Sequence, residues 1–74
     1  MTTPTLNRDR RQLLDAISRG RVFLANGIVF RVSGRLKRRC DVTVREFQAA
    51  GWVRLGASDV YELTESGEAV RGAS

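Results

Sequence analysis

The Asn26-Gly27 dipeptide constrains the fold of this chain more than any other feature of its sequence. It separates two short runs rich in β-branched and aromatic residues, 22–25 and 28–32. Asn-Gly between such runs is the strongest short signal for a type I′ turn, because both central residues of that turn need a positive φ. The sequence therefore predicts a β-hairpin over residues 21–33.

A two-residue loop at this turn fixes which side chains share a face of the hairpin. Phe23 then lies opposite Phe30 as an aromatic cross-strand pair, and Leu24 and Val29 fall on the other face. Because both faces carry apolar side chains, either both are covered by the domain or one is left for a partner. The sequence leaves these two arrangements open.

A helix is predicted before the hairpin, over residues 8–19. Asn7 is a good N-cap residue, and Gly20 is suited to follow the helix in a left-handed conformation. The apolar side that recurs at helical spacing consists of Leu13, Leu14 and Ile17. The other side is expected to be an ordinary solvated face, and it consists of Arg8, Arg11, Asp15 and Arg19.

The strongest local helix signal lies in the middle of the chain. Thr43 and Glu46 match a capping box, in which each side chain bonds the backbone N–H of the other residue. Val42 and Phe47 occupy the positions of a hydrophobic staple. The sequence therefore predicts a second helix over residues 44–50, ended by the glycine that follows it.

Two further strands and a last helix are predicted downstream. Residues 52–55 and 60–63 indicate a second hairpin, with a connection longer than a two-residue turn. Thr64 is predicted to cap a helix over residues 65–71. The second hairpin is acidic at its tip, so phosphate would repel it.

The chain has 74 residues, enough for one small domain and not for two. The predicted fold is α+β in the order α-β-β-α-β-β-α, with two β-hairpins. The sequence does not decide whether residues 35–40 form an additional helical turn. Residues 1–5 and 72–74 are expected to be mobile, because they offer little apolar surface to bury.

The composition argues against an enzyme. The chain has no His, no pair of carboxylates in a recognisable site motif and no glycine-rich loop of phosphate-binding form. We therefore expect no catalytic residue, cofactor, metal or small-molecule substrate. Positive charge from Arg38, Arg39 and Arg45 would lower the pKa of Cys40, but without a His or second Cys a structural thiol is favoured.

Cysteine usage and hydropathy favour the cytoplasm. A lone cysteine forms no disulfide within the chain, and no apolar run approaches the ~20 residues of a membrane-spanning helix. Residues 1–5 lack the charged and apolar regions of a signal peptide. No membrane partner is expected.

Positive charge is concentrated in one part of the chain. The formal net charge is +5 and the sequence isoelectric point is about 11.0, which favours a polyanionic partner. Residues 31–45 contain six Lys or Arg against Asp41 alone, whereas residues 55–74 contain Arg71 against four acidic residues. We therefore expect one basic and one acidic side.

Two stretches resemble the recognition helix and the wing of winged helix-turn-helix DNA-binding proteins. They are VTVREFQAAGWVRL at 42–55 and YELTESG at 61–67, within a resemblance that covers about residues 42–70. In that family a helix ending in glycine leads into a hairpin wing, whose return strand runs into the next helix. Upstream the chain has a hairpin in place of the family's packed helix, so it resembles a reduced variant, similar to short actinobacterial and phage proteins.

The resemblance implies a double-stranded DNA-binding protein whose helix 44–50 enters the major groove. Arg45 and Gln48 share the solvent face of that helix, where Arg pairs with guanine and Gln with adenine. The basic segment 31–39 then contacts phosphates. The predicted DNA-binding residues are Arg31, Arg35, Lys37, Arg38, Arg39, Arg45 and Gln48.

Several roles stay open at this stage. The DNA-binding protein is either a transcriptional regulator or an architectural, excision-type factor, and a homodimer is not decided. A protein-interaction module, for example a phage protein that inhibits a host protein, is the alternative, and RNA binding is a weaker third. Basic side chains that share one surface with Arg45 and Gln48 favour DNA, whereas scattered cations and exposed Phe23, Ile28 and Phe30 favour a protein partner.

Overall fold

The computed structural model describes residues 6–72, an α+β domain with two antiparallel sheets. Expectations about residues 1–5 and 73–74 therefore lie outside the described residues. The elements are α1 (Arg8–Ser18), β1 (Val22–Ala25), β2 (Ile28–Ser33), β3 (Leu36–Arg39), α2 (Asp41–Ala49), β4 (Val53–Leu55), β5 (Tyr61–Leu63) and α3 (Glu65–Gly72). Strands β1, β2 and β3 form one sheet, and β4 and β5 form the other.

The first hairpin is confirmed in both its turn and its register. Asn26 and Gly27 have φ values of 53° and 76°, as a type I′ turn requires. Phe23 pairs with Phe30, and their ring centroids lie 5.8 Å apart. The turn residues therefore set the strand pairing as the sequence predicted.

A third strand corrects the predicted order, which becomes α-β-β-β-α-β-β-α. Residues 36–39 form neither a loop nor a helical turn, because they pair antiparallel with β2 from Ser33 opposite Leu36 to Phe30 opposite Arg39. Gly34 has a φ of 61° and allows the tight reversal between the strands. The sequence did not indicate this strand, because the consecutive cationic residues 37–39 lack the apolar–polar alternation typical of a half-buried strand.

Helix α2 begins three residues earlier than predicted, at Asp41. The sheet causes this shift, since the backbone N–H of Cys40 donates to the Val29 carbonyl at 3.0 Å and continues the β2–β3 ladder. The Cys40 carbonyl then accepts from Val44 at 3.0 Å, so the helix starts where the sheet ends. The acidic Asp41 occupies the first turn, where the helix dipole favours a negative charge.

The predicted capping box and hydrophobic staple of α2 are therefore wrong. Thr43 lies inside the first turn and caps nothing, and the N-cap position is held by Cys40 without a side-chain hydrogen bond. Val42 is 68% exposed and does not pack on the buried Phe47. The tertiary pairing of β3 overrides the local capping signal.

The second hairpin, α1 and α3 agree with the prediction. Each end of these strands and helices lies within one residue of its predicted position. Val53 pairs with Leu63, and a short 3₁₀ turn at Ala57–Asp59 supplies the longer connection. Asn7 caps α1 by accepting from the Arg10 N–H at 2.9 Å. The α3 helix extends to Gly72, one residue beyond the prediction.

The core joins α1, the inner side of the first sheet, α2 and the second hairpin. Its buried side chains are Leu13, Leu14, Ala16, Ile17, Val22, Val29, Val44, Phe47, Trp52, Val53 and Tyr61. Trp52 packs with Phe47 at a ring-centroid distance of 5.5 Å, as expected for a core aromatic. Gly67 brings α3 against β4 so closely that a Cβ there would lie 1.9 Å from the Trp52 carbonyl oxygen.

We predict that Thr64→Ala lowers the free energy of unfolding by about 1–2 kcal/mol. The Thr64 hydroxyl accepts from the Gly67 N–H at 3.1 Å and donates to the Gly51 carbonyl, so the substitution removes two hydrogen bonds. Thr43→Ala is the matched control and is expected to change stability by less than about 0.5 kcal/mol. Urea denaturation measures both, and equal losses would contradict the observed helix starts.

Candidate nucleic-acid interface

The predicted DNA-binding residues are distributed over several parts of the surface rather than one. The three-stranded sheet has an inner face, which carries the buried Val22 and Val29, and an outer face, which carries Phe23 and Phe30. Strand alternation decides which face each cation occupies. Arg31 and Arg38 lie on the inner face, Lys37 and Arg39 on the outer face, Arg35 in the turn, and Arg45 and Gln48 on α2.

Arg31 and Arg38 stand directly opposite each other in the β2–β3 register. Like charges in this position destabilise a sheet unless an anion lies between them. Within the described part of the chain, neither guanidinium forms a salt bridge. Among the described residues, the positive charge of this pair is therefore not balanced by a carboxylate at salt-bridge distance.

Helix α1 adds arginines to the same side of the domain. A depression of about 370 Å³ lies between α1 and β2, and an adjoining one reaches β3 and shares Arg31. We call these two depressions the arginine groove, which is lined by Arg8, Arg11, Arg19, Arg21, Arg31 and Arg38. Its acidic lining residues are Asp9 and Asp15, and Asp15 is paired with Arg19 at 3.1 Å.

Four of the groove arginines were missed by the sequence analysis, which treated three of them as a solvated face of α1 and did not consider Arg21. Arg8, Arg11 and Arg19 follow helical spacing and lie on one side of α1. A signal was present in the sequence, since residues 16–40 contain no acidic residue and seven Lys or Arg. Only the packing of α1 beside β2 shows that these charges share a groove with Arg31.

Helix α2 presents the expected side chains to solvent. Arg45 and Gln48 are exposed, whereas Val44 and Phe47 are fully buried in the core. Arg10 on α1 forms a salt bridge with Glu46 at 3.1 Å, which links the two helices at their surface. The exposed side of α2 thus has donors and acceptors suited to base edges.

The second hairpin offers little positive charge. Arg54 lies opposite Glu62 in the strand register and forms a salt bridge with it. The turn between these strands carries Asp59. A hairpin of this composition has no unpaired cation near its base to attract a phosphate.

Cys40 is half-buried, and its pKa is raised from 9.0 to about 11. Burial is the largest cause, the nearby Arg31 lowers the value in part, and Asp41 raises it further. The expectation that positive charge lowers this pKa is therefore wrong, because desolvation outweighs it. In the part of the chain that the structure covers, no three His, Cys, Asp or Glu side chains are grouped as metal ligands, and no helix has the length and apolar character to cross a membrane.

Comparison of the chain with protein-family models, with curated proteins and with solved structures finds no match.

We predict that the Cys40 thiol reacts slowly with a disulfide reagent in the folded protein near neutral pH. The raised pKa keeps the thiol protonated until the pH approaches 11, and the thiolate is the reactive form. The reaction is followed by absorbance against pH, with the urea-unfolded protein as the control. A folded-state rate that equals or exceeds the unfolded rate at neutral pH would contradict the burial of this thiol.

Proposed function

We propose that this protein binds double-stranded DNA as a winged-helix-like factor. The observation that carries the proposal is the opposed Arg31 and Arg38 pair, which forms no salt bridge in the described chain and lies within a groove lined by further arginines. The DNA backbone is a polyanion whose phosphates accept hydrogen bonds from guanidinium groups. Phosphates in the arginine groove would therefore relieve a repulsion that the folded protein leaves uncompensated.

In this proposal the arginine groove and α2 have different roles, because their side chains lie on different parts of the surface. The groove and the turn residue Arg35 supply affinity that does not depend on sequence, because they contact phosphates. Arg45 and Gln48 on α2 supply base readout, since they are exposed on a helix held by buried Val44 and Phe47. The paired Arg54 and the acidic turn keep the second hairpin at the margin of the interface.

The proposed activity is binding rather than catalysis. The whole chain lacks His, and the one thiol is protonated at neutral pH because its pKa is about 11. A transcriptional regulator and an architectural or excision-type factor both fit a small basic domain of this kind. A regulator reads one site with high preference, whereas an architectural factor binds many sequences and bends them.

A protein-interaction module is the second candidate, and two specific observations favour it. The cations of β3 are divided between the two faces of the sheet instead of sharing one surface with Arg45. Val42 and Leu36 are 68% and 59% exposed, which leaves large apolar side chains in water on α2 and β3. In contrast, Phe23, Ile28 and Phe30 are half-buried, so the apolar patch expected of this alternative is only partly exposed.

We predict that the variant Arg31→Ala/Arg38→Ala binds a random duplex of about 30 base pairs more weakly and with a flatter salt dependence. Each lost phosphate contact reduces the slope of log K against log salt by about one, so the expected change is about two. Fluorescence anisotropy over a salt series measures this slope.

The matched control for this experiment is Arg54→Ala/Arg71→Ala. It removes the same charge from arginines that are already paired, Arg54 with Glu62, and Arg71 with Glu68 and, at 3.8 Å, with the groove residue Asp15. We expect its salt slope to equal that of the wild type. Equal slope changes in the two variants would mean that net charge, and not the groove, governs binding.

We predict that Arg45→Ala relaxes base preference at one or two positions without a general loss of affinity. A bidentate contact from Arg to guanine discriminates by about 1–3 kcal/mol, and its loss affects only sequences that contain that guanine. Selection of bound sequences from a random pool compares the variant with the wild type, and Arg38→Ala is the control that weakens all sequences alike. A uniform loss in Arg45→Ala would contradict base readout by α2.

A further inference from the structure

The outer face of the three-stranded sheet lies outside the proposed duplex interface except at Val32, which lines the arginine groove. It carries five half-buried apolar side chains that are not among those packed against the core cluster, and they are Phe23, Ala25, Ile28, Phe30 and Val32. The inner face of the first hairpin thus packs into the core, whereas the side chains of its outer face stay partly exposed, and Phe23 is bridged to Val60 at the edge of β1. Among the described residues, no strand is paired with the second edge of β3, whose residues are exposed.

Two aromatic rings lie at the centre of this outer face. Phe23 and Phe30 are direct cross-strand partners with ring centroids 5.8 Å apart and planes tilted by 33°. Aromatic rings at adjacent strand positions on an open sheet face provide stacking surfaces for planar groups.

Cations flank the aromatic pair. Arg39 lies directly opposite Phe30 in the strand register, and the Lys37 amine lies over the Phe23 ring, 5.8 Å from its centroid, in a cation–π contact that a stacking base would replace. The three strands of the sheet contain no acidic residue, so the nearest carboxylate along the chain is Asp41, which contacts Arg39 at 3.5 Å. In that pair the Arg39 side chain is 63% exposed, whereas the Asp41 side chain is 18% exposed.

We propose that this outer face binds single-stranded nucleic acid, with unpaired bases on Phe23 and Phe30 and phosphates on Lys37 and Arg39. Every base has a flat π-face, so stacking on Phe needs no particular sequence, and the adjacent phosphates require the cations. A duplex keeps its bases stacked inside the helix and offers nothing to these rings. An acidic peptide would use the cations and leave the paired rings without a planar partner.

The test uses the full chain and a fluorescent oligothymidine of about 12 nucleotides at low salt. We expect the double variant Phe23→Leu/Phe30→Leu to bind it at least fivefold more weakly, because the rings are lost while apolar volume is kept. We expect the wild type to bind an abasic oligonucleotide of the same length as weakly as the double variant binds the oligothymidine. Circular dichroism checks that the variant is folded. The comparison of the abasic probe with the oligothymidine uses the wild type alone, so it does not depend on the folding of a variant.

The random duplex is measured in parallel, so that this proposal and the proposed function fail separately. We expect duplex affinity to be unchanged in Phe23→Leu/Phe30→Leu, and Lys37→Ala to flatten the salt slope for the oligothymidine by about 0.7. Equal binding of the abasic and oligothymidine probes would overturn stacking on this face. Duplex binding with no oligothymidine binding would also overturn it while leaving the proposed function standing.

Discussion

The pairing of β3 with β2 is the contact on which the rest of this structure depends. It turns residues 36–39 into a strand, and the hydrogen bond from Cys40 to the Val29 carbonyl then determines where α2 begins. The same register places Arg38 opposite Arg31. A single antiparallel ladder thus sets the third strand, the start of α2 and the most concentrated positive charge on the inner face.

This arrangement places Arg31 and Arg38 where neither forms a salt bridge among the described residues. Opposed arginines weaken a ladder, and cations on an edge strand contribute mainly by discouraging further strand pairing. The carboxylates Glu62 and Glu68 are engaged elsewhere with Arg54 and Arg71. Of the sheet cations, Arg39 contacts Asp41, whereas Arg31 and Arg38 form no salt bridge in the part of the chain that the structure describes, and their uncompensated charge is the physical basis for proposing a polyanionic partner.

The two faces of the sheet differ in what they offer a ligand. The inner face continues into α1 and forms a concave groove of guanidinium groups, which suits phosphates. The outer face is open and combines the paired rings of Phe23 and Phe30 with Lys37 and Arg39. Because strand alternation separates neighbouring residues onto opposite faces, one short basic segment places cations on both surfaces.

Local signals in the sequence were sufficient for the elements whose ends depend on neighbouring residues. Asn26-Gly27 determined the first turn and register, and Asn7 and Thr64 determined two helix starts, because turn and cap geometry are local. The third strand, the true start of α2 and the arginine groove were decided only by tertiary structure. Each depends on backbone pairing or helix packing between residues distant in the chain, and these contacts outweigh the local capping energy of Thr43.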